Sequence, residues 1–279
     1  MVGSGLMGRG IAHAAATGGF ATVIHDVSPE ALDLARARIR KDLDDGVGRG
    51  KLSREEADAA LSRIRTAPSL EEAAEGTDFA IEAVPEQMEL KTRVFGRLDA
   101  LCPPAVVLAT NTSALAVSEI AAAAEHPERV IGMHFFNPVP KMKLVEVVRT
   151  ADTGPRTVTT TRQVAARMGK ETVLVNESPG FVTSRINASI GNEAFLMLEQ
   201  GVASAEDIDK AVKLGLNHPM GPFELVDLVG LDTRLAVLRR LHEKLGEKYR
   251  PAALLERYVA EGRLGRKAGR GVYDYGDPT

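Results

Sequence analysis

Residues Val2 to Asp26 read VGSGLMGRGIAHAAATGGFATVIHD, and this stretch decides the fold class of the first part of the chain. Glycines at Gly3, Gly5 and Gly8 match G-x-G-x-x-G, with Leu6 and Met7 between the last two. Glycines there permit a tight turn and let backbone amides approach a pyrophosphate at a helix N-terminus. Alone the pattern is weak, because glycines recur in many loops. Its context strengthens it: the spacing predicts a helix from Leu6 to about Thr17, Gly18 and Gly19 end it, and Ala21 to Asp26 is a short β-rich strand. Asp26 ends that strand eighteen residues after Gly8, near the spacing of an acid that accepts hydrogen bonds from an adenosine ribose. A carboxylate repels a 2′-phosphate, so NAD is favoured over NADP. The plainer reading of Asp26 is a turn residue before Ser28 and Pro29, which look like a helix N-cap and first helical position.

A strand precedes the glycine loop in such folds, yet only Met1 and Val2 stand before Gly3. Without that central strand its two neighbours keep unpaired amides and carbonyls around a slot in the apolar core. The expectation is an apolar strand upstream of Met1, with the initiation codon misassigned.

A second stretch carries the chemistry. Val130 to Val148 reads VIGMHFFNPVPKMKLVEVV. VIGM is short, apolar and β-branched, hence a buried strand that His134 closes. Pro138 and Pro140 forbid both helix and ladder, so the chain leaves the sheet as a rigid loop just after His134. Glu146 falls inside a second apolar strand, Leu144 to Val148, where an unpaired carboxylate is costly to bury. Two neighbouring strands joined by the proline-rich turn set this carboxylate against the imidazole, fixing its tautomer as in a general base. The plainer reading is a hydrogen-bonded core histidine.

Between and beyond these stretches strands alternate with helices. Phe79 to Val84, Val106 to Thr110 and Glu171 to Val175 read as strands; Pro29 to Asp44, the segment through Leu90 and Phe95, Val117 to Ala124 and Thr157 to Met168 read as helices. Gly46 to Lys51 reads as a loop, and Ser53 with Glu56 forms a capping box. Such alternation predicts a Rossmann-type doubly wound parallel sheet with ligands at the carboxyl ends of its strands. Glu86, Ser113 and His134 fall at those ends. ESPGF, at Glu177 to Phe181, breaks both periodicities and marks a boundary: residues 1–178 form the dinucleotide-binding domain and 179–279 an all-helical one.

Composition excludes several classes. With 279 residues, two domains are expected; 44% hydrophobic and 26% charged residues describe an ordinary globular protein. A net charge of −3 gives no basic footprint for nucleic acid or an anionic membrane. Cys102 stands alone, so no internal disulfide forms, and no His/Cys cluster suggests a metal. A reducing cytoplasm fits, and no apolar run reaches the roughly 18 residues of a membrane span.

NTSAL at Asn111 to Leu115, HFFNPVPKMKLVEVV, and PMGPFELVDLVGLD at Pro219 to Asp232, in that order, resemble the L-3-hydroxyacyl-CoA dehydrogenase family, within it the short single-function 3-hydroxybutyryl-CoA dehydrogenases. The resemblance spans essentially the whole chain. It implies reversible NAD-dependent oxidation of (S)-3-hydroxyacyl-CoA to the 3-ketoacyl-CoA, in fatty acid or butanoate metabolism. It further implies that Glu86, Lys91, Ser113, Asn137 and Lys267 contact the nicotinamide half of NAD, and that the helical pair around Arg49 and Lys51 lies near the coenzyme A phosphates. Plainer readings make Lys91 a surface helix residue, Ser113 a helix cap, and Arg49 and Lys51 a solvated charged face. A homodimer through the helical domain is also implied.

In that reaction His134 is the base, Glu146 orients it and Ser113 offers a hydroxyl to the reacting oxygen. The chain departs from the family at Ser184, where an asparagine is usual; Asn187 lies three residues on, on nearly the same helix face. Two rivals stand beside this reading: a dehydrogenase of the same plan acting on a sugar acid or hydroxy acid without CoA, and a non-catalytic NAD-binding relative.

Overall fold

The computed structural model describes residues 1–276, and the chain divides into two compact units, Met1–Ser178 and a second that begins at Pro179. In the first unit the glycine loop opens α1 (Leu6–Thr17), followed by β1 (Thr22–His25), α2 (Pro29–Gly48), α3 (Arg54–Ser62), β2 (Ile64–Ala67), α4 (Leu70–Ala74) and β3 (Phe79–Glu82). Then come α5 (Met88–Leu101), β4 (Val107–Thr110), α6 (Val117–Ala121), β5 (Val130–Phe135), β6 (Leu144–Arg149), α7 (Pro155–Arg167) and β7 (Glu171–Asn176).

The strands run β2-β1 and β3-β4-β5-β6-β7, and Val2 bridges the two groups by pairing in parallel with both His25 and Glu82. Its amide donates to the Ile81 carbonyl at 2.9 Å and its carbonyl accepts from Ala83 at 2.7 Å. A single residue thus stands where the fold places a strand. Alongside it the Met1 ammonium donates to the Val23 carbonyl at 2.7 Å, and burial lowers its pKa to about 5. A cavity of about 470 Å³ opens between β1 and β3 there, lined by Ile11, Phe20, Val23 and Ile81 among others.

The sheet is not wholly parallel. β5 and β6 are antiparallel and β6 and β7 parallel, so the last two strands run against the rest. Prolines 138 and 140 allow only a short return at this point, whereas a parallel connection needs a crossover of a dozen or more residues. β2 and α4 escape a reading by periodicity, since β2 is only IRTA and pairs with β1 alone. α2 runs through Gly48, past the predicted end, and Leu52 packs over Gly46. The central core is Ile11, Ile81, Val107, Ile131, Met133, Val145 and Val147, apolar residues of α1 and the inner strands.

The second unit is helical among the described residues: α8 (Thr183–Glu199), α9 (Ala205–Gly215), α10 (Pro222–Val229), α11 (Leu231–Leu245) and α12 (Ala253–Ala260). Phe195, Phe223, Leu231, Leu238 and Leu255 fill its core. Two buried carboxylates staple it. Asp209 accepts from the amides of Phe223 and Glu224, at the open start of α10, and from the Tyr273 hydroxyl. Asp227 accepts from the amides of Val272 and Tyr273 and from the Tyr275 hydroxyl. A side chain at Gly221 would lie 2.3 Å from the Asp209 carboxyl carbon, which accounts for glycine before Pro222. No described helix is long and apolar enough to cross a membrane.

Candidate active site

The glycine loop is shaped by its neighbours. Gly3 has φ +94°, and a Cβ there would lie 2.6 Å from the Ala83 carbonyl oxygen; at Gly8 it would meet the Gly3 oxygen at 1.9 Å. Both positions need glycine for packing. Gly5 differs, because a Cβ there meets nothing within 4 Å. The space it leaves lies at the N-terminus of α1, where unpaired backbone amides suit an anion.

Asp26 lies just past β1 and is held by the loop itself. Its Oδ2 accepts from the Ser4 amide at 2.8 Å and the Ser4 hydroxyl at 2.7 Å, while Oδ1 accepts from the Ser28 amide at 3.2 Å. Burial works to raise this carboxyl, but the Ser4 and Ser28 bonds outweigh it and hold the pKa below the ordinary value. Asp26 thus ties the end of β1 to the glycine loop as well as to the turn at Ser28. Ser4, the middle residue of G-x-G, is the partner that the glycine pattern alone does not reveal.

At the carboxyl ends of β3 and β4 a polar network replaces the apolar core. Glu82 and Lys91 are both fully buried, and Lys91 Nζ donates to Glu82 Oε1 at 2.6 Å. Glu82 also accepts from the Val84 amide at 2.6 Å and the Thr110 hydroxyl at 2.7 Å. Burial pushes the Glu82 carboxyl up, against the pull of Lys91 and these donors. Both its oxygens face donors, the arrangement of an ionised carboxylate. Lys91 is thus no surface residue. Its ammonium also lies 3.5 Å from Glu86 Oε2. Glu86 Oε1 in turn accepts from the Thr112 hydroxyl at 2.5 Å and the amides of Ser113 and Ala114 at 3.0 and 3.1 Å. Thr112, not Ser113, closes this turn, accepting from Leu115 N at 2.9 Å, and α6 has no side-chain cap. The Ser113 hydroxyl is therefore not used as a helix cap.

β5 and β6 bring the histidine and the carboxylate together. His134 and Glu146 are opposite residues in the antiparallel register, and His134 Nδ1 lies 2.7 Å from Glu146 Oε2. Glu146 is fully buried and His134 nearly so, with the Phe136 ring tilted against the imidazole at a centroid distance of 4.6 Å. A carboxylate at that distance accepts a hydrogen bond from Nδ1–H, which fixes the orientation of the ring and places its basic lone pair on Nε2. Asn111 supports the same edge, accepting from the Phe135 amide at 3.0 Å. Asn137, two residues past β5, is exposed.

Arg49 and Lys51 line a cavity of about 640 Å³ together with His13, Lys141 and Lys170. Asp42 and Asp45 line it too. His13 is buried, its Nδ1 has no hydrogen-bond partner, and burial lowers its pKa. Lys170 is also buried and donates to the carbonyls of Val139 and Met142, pinning the loop that follows His134. His13, Lys141 and Lys170 come from segments far apart in sequence, and no local pattern marks them.

Ser184, Asn187 and Lys267 belong to the second unit. Ser184 and Asn187 lie in the first turns of α8, both half-buried. Lys267 is held by Asp232, whose two carboxylate oxygens both lie 2.7 Å from its Nζ.

Comparison with known proteins places this arrangement. The family model described as 3-hydroxyacyl-CoA dehydrogenase, NAD binding domain, matches residues 1–178, and that of the C-terminal domain matches 180–275. A probable 3-hydroxybutyryl-CoA dehydrogenase of Bacillus subtilis is 48% identical over 280 residues, covering 100% of this chain and 97% of its own length. The 3-hydroxybutyryl-CoA dehydrogenase of Clostridioides difficile is 43% identical, with 99% and 98% covered. Among solved structures, (S)-3-hydroxybutyryl-CoA dehydrogenase PaaH1 from Ralstonia eutropha superposes with a TM-score of 0.96 at 42% identity, covering 99% of this chain and 98% of that one.

Proposed function

The chain belongs to the 3-hydroxyacyl-CoA dehydrogenase family, and from that premise we propose that it oxidises (S)-3-hydroxybutyryl-CoA reversibly to acetoacetyl-CoA with NAD. The observation that carries this reading is the His134–Glu146 pair at 2.7 Å, a buried histidine and carboxylate set opposite one another in the antiparallel ladder of β5 and β6.

Removing hydride from a secondary alcohol requires its hydroxyl proton to leave at the same time. His134 Nε2 takes that proton, and Glu146 keeps the ring in the required tautomer and stabilises the imidazolium. Ser113 donates to the same oxygen, which polarises the ketone in the reducing direction. Bound NAD supplies the hydride acceptor. Gly3, Gly5, Leu6, Met7 and Gly8 seat its pyrophosphate, Asp26 its adenosine ribose, and Glu86, Lys91 and Asn137 its nicotinamide half. The resemblance adds Lys267 to the cofactor residues and Ser184 to the substrate residues, at the position where the family has an asparagine.

The basic side chains of Arg49, Lys51 and Lys141 around one cavity suit the phosphates of coenzyme A. That favours a thioester over a free hydroxy acid. The helical unit supplies the contact for a homodimer, and the enzyme works in the cytoplasm. Initial rates with NADH and a C4 to C16 series of 3-ketoacyl-CoAs test the substrate reading. Highest kcat/KM at C4 is expected; turnover of free 3-keto acids but not of any thioester overturns it.

A further inference from the structure

Lys91 is a cation with no exposure, yet it is assigned to the cofactor's nicotinamide half, which is itself cationic in NAD⁺ and neutral in NADH. A lone buried ammonium beside that ring would repel the oxidised cofactor and favour the reduced one. The structure supplies a counter-charge from a residue outside the sites assigned so far. Glu82 ends β3, its register partner Thr110 ends β4, and the two meet through a 2.7 Å hydrogen bond, Thr110 donating. Between Glu82 and the surface stands Lys91, and beyond Lys91, at 3.5 Å, the half-exposed carboxylate of Glu86.

The order is therefore anion, cation, anion, with one negative charge in excess. Lys91 has three N–H donors. One is committed to Glu82 at 2.6 Å; the contacts to the Val84 carbonyl at 3.4 Å and to Glu86 at 3.5 Å are long. Glu82 thus fixes the ammonium from behind, and the donors that remain point along residues 84 to 86.

We propose that Glu82 is a positioning and charge-setting residue of the cofactor site: it anchors Lys91 and cancels its charge, so that the cluster presents the net negative charge of Glu86 to the oxidised nicotinamide. This rests on the reading of Lys91 and Glu86 as neighbours of that ring. The consequence is a selective one. Losing the Glu82 charge weakens NAD⁺ binding more than NADH binding, whereas a purely structural defect weakens both alike.

The test is the ratio of NAD⁺ to NADH dissociation constants, with melting temperature as a check on folding. Glu82→Gln changes the cluster from net −1 to neutral and should weaken NAD⁺ by about three- to tenfold more than NADH. The double variant Glu82→Gln with Lys91→Met removes both buried charges, leaves none uncompensated and keeps Glu86. It should restore the wild-type ratio while weakening both cofactors through the lost donor. Glu86→Gln, at an exposed position that needs no refolding of the core, should move the ratio as Glu82→Gln does, and decides the matter if that variant fails to fold. An unchanged ratio in folded Glu82→Gln, or in Glu86→Gln where the former is unfolded, overturns the inference. A double variant with both constants at wild-type values instead removes Lys91 from the cofactor site, and the underlying reading fails with it.

Discussion

Glu146 stands directly across the antiparallel ladder from His134, its Oε2 2.7 Å from Nδ1. Neighbouring strands set this pair, and not a loop, so its geometry is as rigid as the sheet. His134→Gln keeps size and polarity but removes the proton acceptor; kcat with acetoacetyl-CoA should fall by about 10²–10⁴ while NADH affinity changes little. Glu146→Gln should lose less, because an amide still accepts from Nδ1 without stabilising the imidazolium. Steady-state rates beside NADH fluorescence titration check both, and near wild-type turnover of His134→Gln removes the base assignment.

Ser4 and Asp26 give the second prediction. Asp26→Ser deletes a charge-assisted acceptor and should weaken NADH by about 1–3 kcal/mol while relaxing discrimination against NADPH. Ser4→Ala removes only the hydroxyl bond of 2.7 Å and leaves the amide bond of 2.8 Å, so it should act in the same direction by about 1 kcal/mol or less. Titrating both variants with both cofactors checks the pair. Equal NADH to NADPH ratios throughout would reduce Asp26 to a turn residue.

Much of this site is legible in residues alone, for one physical reason. Glu146 stands out because a carboxylate in LVEVV violates the apolar run around it, and His134 because it closes VIGM before two prolines. The same signal marks Glu82 at the end of FAIE, but its partner Lys91 is nine positions away on a helix whose polar residues look ordinary. Burial, which no local pattern reports for a lysine, is what turns Lys91 from a surface residue into the partner of Glu82. The basic cavity is harder still, since His13, Lys51, Lys141 and Lys170 meet only through the tertiary fold. Strand β2 is hidden because an edge strand buries little and so carries little pattern.

Ser184 and Asn187 share the first turns of α8, three residues apart, and both are candidates for the polar group that the resemblance places there as an asparagine. On position Ser184 is favoured. Ser184→Ala should then cost activity, Ser184→Asn should keep or raise it, and Asn187→Ala should be near neutral. If Asn187 has taken over, Asn187→Ala loses activity and Ser184→Asn is neutral or harmful. Comparing kcat for the three variants decides between them.

Arg234 poses a different question, since it is buried in the helical unit and its Nε has no hydrogen-bond partner. Its stem lies against Gly191 of α8, where a Cβ would be 3.8 Å from the arginine Cδ and Nε. Burial lowers the guanidinium to about 10, which still leaves it charged at neutral pH. The sign follows from this depression. A base whose folded pKa lies below its unfolded value costs stability in full wherever both states hold the proton, below the folded pKa, and the cost fades as pH rises from the folded towards the unfolded pKa. Between pH 6 and 9 the penalty is therefore constant, and it is relieved only as pH rises past about 10. Arg234→Met keeps the length of the stem and removes the charge, so it should raise stability by about 1–4 kcal/mol. Urea unfolding at several pH values below 9 checks the size and the flatness of the gain. A loss of stability instead would mean that the guanidinium is compensated in solution, and the site of that compensation would then be the next thing to find.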